Sequence, residues 1–161
     1  MNIEIEWQQP IEITRQRKLL FDANSIPAEI EARPGVYFFS RVFGNIVEPF
    51  YIGQSTNIRK RLKENLQSAK IREAIRETEV VQSVRKGVRW FSYGYLLPSK
   101  GPRNTEAVLL LVERYLIRQA LADGHGLINH RGTKFKTHNI TFIGSSEERR
   151  VFGKSAEIPV E

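Results

Sequence analysis

The sequence predicts a small α+β domain, a mainly antiparallel three-stranded sheet flanked by helices. Three observations lead there. Two runs rich in β-branched and aromatic residues, Val36 to Val42 and Ile46 to Ile52, are separated by Gly44-Asn45, a pair suited to a tight hairpin turn. A third such run, Val88 to Leu97, carries Trp90, Phe91, Tyr93 and Tyr95. The stretches after the second and third runs repeat their apolar residues at helical spacing. Strand, strand, helix, strand, helix is an order that a mixed domain with one antiparallel sheet accommodates.

Taken in order, Ile3, Ile5 and Trp7 alternate with Glu4, Glu6 and Gln8, the period-two pattern of a half-buried strand. A short helix is expected around Arg17 to Asp22, and Ala32-Arg33-Pro34-Gly35 breaks the chain. Residues 1–34 read as an N-terminal arm, 35–130 as the main domain and 131–161 as a basic and polar C-terminal tail. Pro49 cannot donate to a ladder, so it belongs at a sheet edge or a bulge. Asn57 is a fitting N-cap for a helix whose buried side is marked by Ile58, Leu62 and Leu66. Arg61 and Asn65 lie one turn apart along a border of that side. A second helix is expected over Lys70 to Val84, with Ile71, Ala74 and Ile75 inward, stopped by Lys86-Gly87. Pro98 to Pro102 form a loop. Asn104 caps the last helix, which runs to about Ala122, and Glu106 in its first turn suits the positive end of the helix dipole.

Composition narrows the function. A chain of 161 residues holds one domain with a proper core. No apolar run approaches bilayer length, and the acidic N-terminus is unlike a signal peptide, so a cytoplasmic protein off the membrane is expected. With no cysteine, disulfides and thiolate zinc sites are excluded. A net charge of +7 and a pI near 9.9 favour a polyanionic partner.

Glu113 is the informative residue. On a wheel of about 100° per residue, its flanking neighbours are Leu109, Leu110, Leu116, Ile117 and Ala120. A carboxylate in mid-stripe on a core-facing side needs a cation, because an unpaired buried charge is costly. That cation is an arginine such as Arg61, a lysine, or a metal ion. The opposite side, Val108, Leu111 and Tyr115, is apolar as well, which leaves room for a homo-oligomer contact through this helix.

Gly35-Val36-Tyr37, then Tyr51-Ile52-Gly53, a helical Arg61, Val112-Glu113-Arg114-Tyr115 and Leu127-Ile128-Asn129 together resemble the GIY-YIG nuclease family, over about Pro34 to His130. Thr105-Glu106-Ala107 resembles the nuclease half of the bacterial nucleotide-excision incision subunit. The resemblance implies a GIY-YIG-like fold, a divalent-metal-dependent endonuclease acting on DNA phosphodiesters, and 5′-phosphate and 3′-hydroxyl products. It implies Tyr37, Tyr51, Arg61, Glu113 and Asn129 as catalytic residues, with Glu113 holding one Mg²⁺ or Mn²⁺. The chemistry suits such a set. Arg61 offers bidentate donors to phosphate oxygens. A hard dication can bind through one carboxylate plus phosphate and keep its waters. A tyrosine hydroxyl with a pKa of about 10 is a poor base unless something lowers it, so Tyr37 is expected as general base or as the group orienting the water, with Tyr51 close by.

Two positions depart from the family. Asn65 stands where relatives commonly have His or Tyr, and Gln54 where the repair branch often has Lys. Asn65 cannot act as a base, which keeps open a second reading, a non-catalytic nucleic-acid-binding module on the same fold. A third, a protein-interaction domain, would use the apolar back of the last helix. Nucleic-acid contacts are expected from Arg59, Lys60, Arg61 and Asn65, and from Arg131, Lys134 and Lys136 in the late stretch that also holds His125, His130 and His138. DNA is the expected partner and RNA remains an alternative. The aromatics of Val88 to Leu97 could stack bases or fill the core.

Overall fold

The computed structural model describes residues 2–16, 18–76, 87–128, 137–141, 143–144, 150 and 155–159. The chain divides into two compact units, Met1–Asn129 and His130–Glu161. In the first, β5 (Gly35–Phe43) and β6 (Ile46–Ser55) form the expected hairpin, Gly44 taking a φ of 58° at the first position of a two-residue turn. β7 (Val88–Leu96) pairs antiparallel with the other side of β5.

The sheet has five strands, not three. β1 (Ile5–Trp7) and β2 (Ile11–Glu12) both pair antiparallel with β7, so residues 1–34 are not a separate arm. Instead of a helix around Arg17 to Asp22, β3 (Thr14–Arg15) and β4 (Lys18–Leu19) make a small hairpin, with Gln16 at a φ of 48°. The reason is burial: Ile13 is fully buried, and Ile11, Leu19, Phe21, Ala23 and Ile26 pack on the same cluster, an irregular cover with no helical period.

Both faces of the sheet are covered. Tyr37, Phe39, Phe91, Tyr93 and Tyr95 pack beneath α1 (Ile58–Gln67) and α2 (Ala69–Arg76), through Ile58, Leu62, Leu66, Ile71, Ala74 and Ile75. These strand aromatics are core, each burial stabilising by about 1.5–3 kcal/mol. Val36 and Leu96 on the other face meet Val108 and Leu109 of α3 (Thr105–Ala122). Asn57 caps α1 by accepting from the Lys60 amide at 2.9 Å, and Asn104 caps α3 by accepting from Ala107 at 3.1 Å. The expected second helix is described to Arg76; residues 77–86 lie outside the described residues.

β6 is an edge strand and carries a bulge. Tyr51 faces Phe39 and Pro49 faces Ser40, which leaves Phe50 as the extra residue. Phe50 stacks on Phe39 at 6.2 Å, while Tyr51 lies over Tyr37. Past α3, the Ile128 amide donates to the Phe50 carbonyl at 2.8 Å and fixes the end of this unit to the β6 border.

The second unit contains β8 (Thr137–Thr141) paired antiparallel with β9 (Ser155–Pro159). Among the described residues no helix is long and apolar enough to cross a membrane.

Candidate active site

Tyr37 is the third residue of the inner strand β5, facing Gly53 on one side and Tyr93 on the other. Its ring is 1% exposed. Gly53 is glycine for a spatial reason: a Cβ there would stand 2.5 Å from the Tyr37 hydroxyl oxygen. The phenol crosses directly over the Gly53 backbone. Gly35 is confined in the same way, since its Cβ would lie 2.1 Å from the Gly94 carbonyl oxygen. The two glycines of the motif therefore let strands and phenol approach, and neither needs a left-handed backbone.

Tyr51 stacks on Tyr37 with ring centroids 6.3 Å apart and planes 24° from parallel, and the two hydroxyls are close enough to bear on each other's titration. Tyr51 is only partly buried, so it is the phenol that reaches the surface. Asn65, 5% exposed on the inner border of α1, donates from Nδ2 to the Tyr37 hydroxyl at 2.9 Å. Burial thus withdraws Asn65 from the nucleic-acid surface assigned to it by sequence.

Glu113 lies partly buried on α3, and its carboxylate is near enough to the backbone N–H of Gln54, on the open border of β6, for that dipole to favour its charged form. It forms no ion pair among the described residues. Burial raises its pKa, opposed by the nearby Arg61 charge, the Gln54 N–H and Arg114. Arg61, with its side chain 45% exposed, pairs loosely with Glu64, Nε to Oε2 at 3.3 Å, and its charge reaches Tyr37, Tyr51 and Glu113. Beside it a cleft of about 420 Å³ opens between Gln54-Ser55-Thr56 and the first turn of α3 at Asn104, Glu106 and Ala107.

Both phenols are held in their neutral form. Burial pushes Tyr37 far above the ordinary tyrosine range, reinforced by Tyr51 and only partly opposed by Asn65 and Arg61. Burial also raises Tyr51, against the neighbouring Tyr37 hydroxyl and Arg61 and together with the Glu113 charge. A sealed phenol with so firm a hold on its proton is a poor general base. Burial thus works against the role expected for Tyr37 as a base, while its position beside Tyr51 suits orientation of that ring.

Four of the five expected catalytic residues, Tyr37, Tyr51, Arg61 and Glu113, come together at one end of the sheet. Asn129, the fifth, lies outside the described residues, as do Arg131, Lys134 and Lys136. Of the basic residues on α1, Lys60 is exposed beside Arg61, as is Lys63, which the sequence reading did not single out. Arg59 is committed elsewhere: it donates to the carbonyls of Pro27, Ile30 and Ile26 at 2.8, 3.0 and 3.1 Å and ties the cover segment to α1. On the far side of α3, Leu111 and Tyr115 are exposed at 54% and 59%, but Val108 is core.

Gln54 is the contributor that sequence reasoning missed, because it acts through its backbone. Among the described residues no group of three or more His, Asp or Glu side chains could hold a metal. The donor set is instead one partly buried carboxylate, Glu113, which is not among the residues lining that cleft; a hard dication that keeps most of its waters or takes phosphate oxygens can bind through a single carboxylate. Comparison with protein-family models, with curated proteins and with solved structures finds no match.

Proposed function

We propose that this chain is a divalent-metal-dependent endonuclease that hydrolyses DNA phosphodiesters, leaving a 5′-phosphate and a 3′-hydroxyl. The observation that carries the reading is the meeting of Glu113, Arg61 and Tyr51 at the open border of β6, three chemistries that a phosphodiester requires together. Glu113 would hold the ion, which when bound offsets phosphate charge and stabilises the leaving oxygen. Arg61 sits at the mouth of the cleft with donors matched to phosphate oxygens. Lys60 and Lys63 are exposed on the side of α1 that faces Ala23 and Asn24, and offer further contacts that hold a backbone without reading sequence. Tyr51 presents its hydroxyl beside them, and Tyr37 fixes it from behind.

Supercoiled plasmid incubated with the purified chain and Mg²⁺ or Mn²⁺ tests this, with a structured RNA as a second arm. Nicked circles are expected, and Glu113→Gln lowers the rate by at least about 10²-fold, since the ion supplies several kcal/mol of charge stabilisation. Absence of nicking with either metal overturns the reading.

A second reading, a binding module without hydrolysis, draws on Asn65, which cannot act as a base and lies buried against the Tyr37 hydroxyl. It requires salt-sensitive DNA binding that survives Glu113→Gln and no strand scission under any metal.

A further inference from the structure

We propose that Asn65 is a positioning residue whose amide sets a one-way chain of hydrogen bonds, Asn65 to Tyr37 to Tyr51, leaving the Tyr51 proton directed out of the core as a donor. The inference rests on the nuclease reading only for what that donor acts upon. An amide NH₂ donates and cannot accept. Its 2.9 Å contact therefore occupies a lone pair of the Tyr37 oxygen, and the single Tyr37 proton must go elsewhere. The neighbouring acceptor is the Tyr51 hydroxyl, which lies beside Tyr37 across the stacked rings. Gly53 lies directly beneath and Asn65 closes the other side, so Tyr37 is held in a slot of fixed shape. Tyr51 receives a proton from behind and keeps its own for the surface, where Arg61 and Glu113 are the charged groups acting on it. A donor preset in this way favours the charge that develops on a phosphoryl oxygen in the transition state. With Nδ2 turned onto the Tyr37 oxygen, the chain runs outward from Asn65.

Asn65→Asp is the decisive variant, since its carboxylate has nearly the same shape but can only accept. At pH 7.5 it draws the Tyr37 proton inward and turns Tyr51 with it. The expected result is a kcat on plasmid with Mn²⁺ lower by on the order of 10²-fold, with KM and Mn²⁺ affinity within about twofold of wild type. As pH falls and the introduced carboxyl takes up a proton, it regains a donor, and the ratio of variant to wild-type kcat climbs back. Asn65→Leu removes the donor without adding an acceptor, so it loses about tenfold or less and shows no such recovery. Identical behaviour of the two variants at every pH, or a wild-type rate in Asn65→Asp, overturns the inference. The ¹³Cζ resonances of labelled Tyr37 and Tyr51, read without substrate or metal, decide the chain independently of cleavage. Both are expected to move in Asn65→Asp at pH 7.5 and return on acidification. Should that variant not fold, the Tyr37 resonance is expected to move in Asn65→Leu. Unmoved resonances overturn the chain, whereas an inactive wild type with these shifts present overturns only the nuclease reading.

Discussion

Glu113 carries a cost in burial that the proposed metal-holding role would explain. Burial raises its pKa, so from the ordinary carboxylate range up to that raised value the native chain holds a proton that the unfolded chain has released. Stability from this group is thus fully present below that window, falls as pH rises through it and stays lower above. Glu113→Gln removes the penalty while keeping an acceptor for the Gln54 N–H. Its Tm in EDTA at pH 7 is expected to exceed wild type by roughly 1–3 °C, with the gain vanishing below about pH 4. Calorimetry across that range checks the sign: a variant that melts lower at pH 7 would show that the carboxylate is well paired. Glu113 was legible in the sequence because a carboxylate within a leucine-rich stripe is an anomaly. Its partner was not, since a backbone amide has no residue type to betray it. Asn65 was noticed, but only coordinates could show that its amide turns inward onto Tyr37.

Among elements, those with a period or a cap could be read: the β5–β6 hairpin from Gly44-Asn45, α1 from Asn57, α3 from Asn104. The segment 11–30 could not, because two-residue strands have no period and its apolar residues are placed by a core assembled from distant strands. Arg59 belongs to that story. Beside Lys60 and Arg61 it looked like one more phosphate contact, yet it holds three carbonyls of the cover segment. Arg59→Ala is expected to cost about 1.5–3 kcal/mol in urea unfolding, the range for hydrogen bonds from charged groups. The salt slope of DNA binding should not change. Lys60→Ala should do the reverse, leaving stability intact and reducing the slope by about 1. If Arg59→Ala lowers the slope instead, its guanidinium serves the nucleic acid after all.

On the scale of the molecule, the N-terminal residues complete a sheet rather than trail from it. β1 and β2 occupy nearly the whole outer edge of β7, and Ile13 just beyond is fully buried. Deletion of residues 1–12 bares that edge, a template for pairing with other chains. The truncated chain is expected to sediment as oligomers or precipitate where the full chain does not; a well-behaved monomer with an unchanged Tm would return this stretch to the status of an arm. The pairing escaped the sequence because it joins Ile5 to Leu96 and Ile11 to Phe91, separations no local pattern encodes.

The opposite margin of the sheet has its own guard. Glu113, borrowed from a helix, lies near the Gln54 N–H, and Ile128 occupies the Phe50 carbonyl a few residues along. The acid proposed to hold the ion would therefore also help cover this margin. An inactive control with alanine at position 113 would leave an unmet amide on display to passing chains, and its behaviour in solution would mix lost chemistry with new stickiness. Glutamine separates the two.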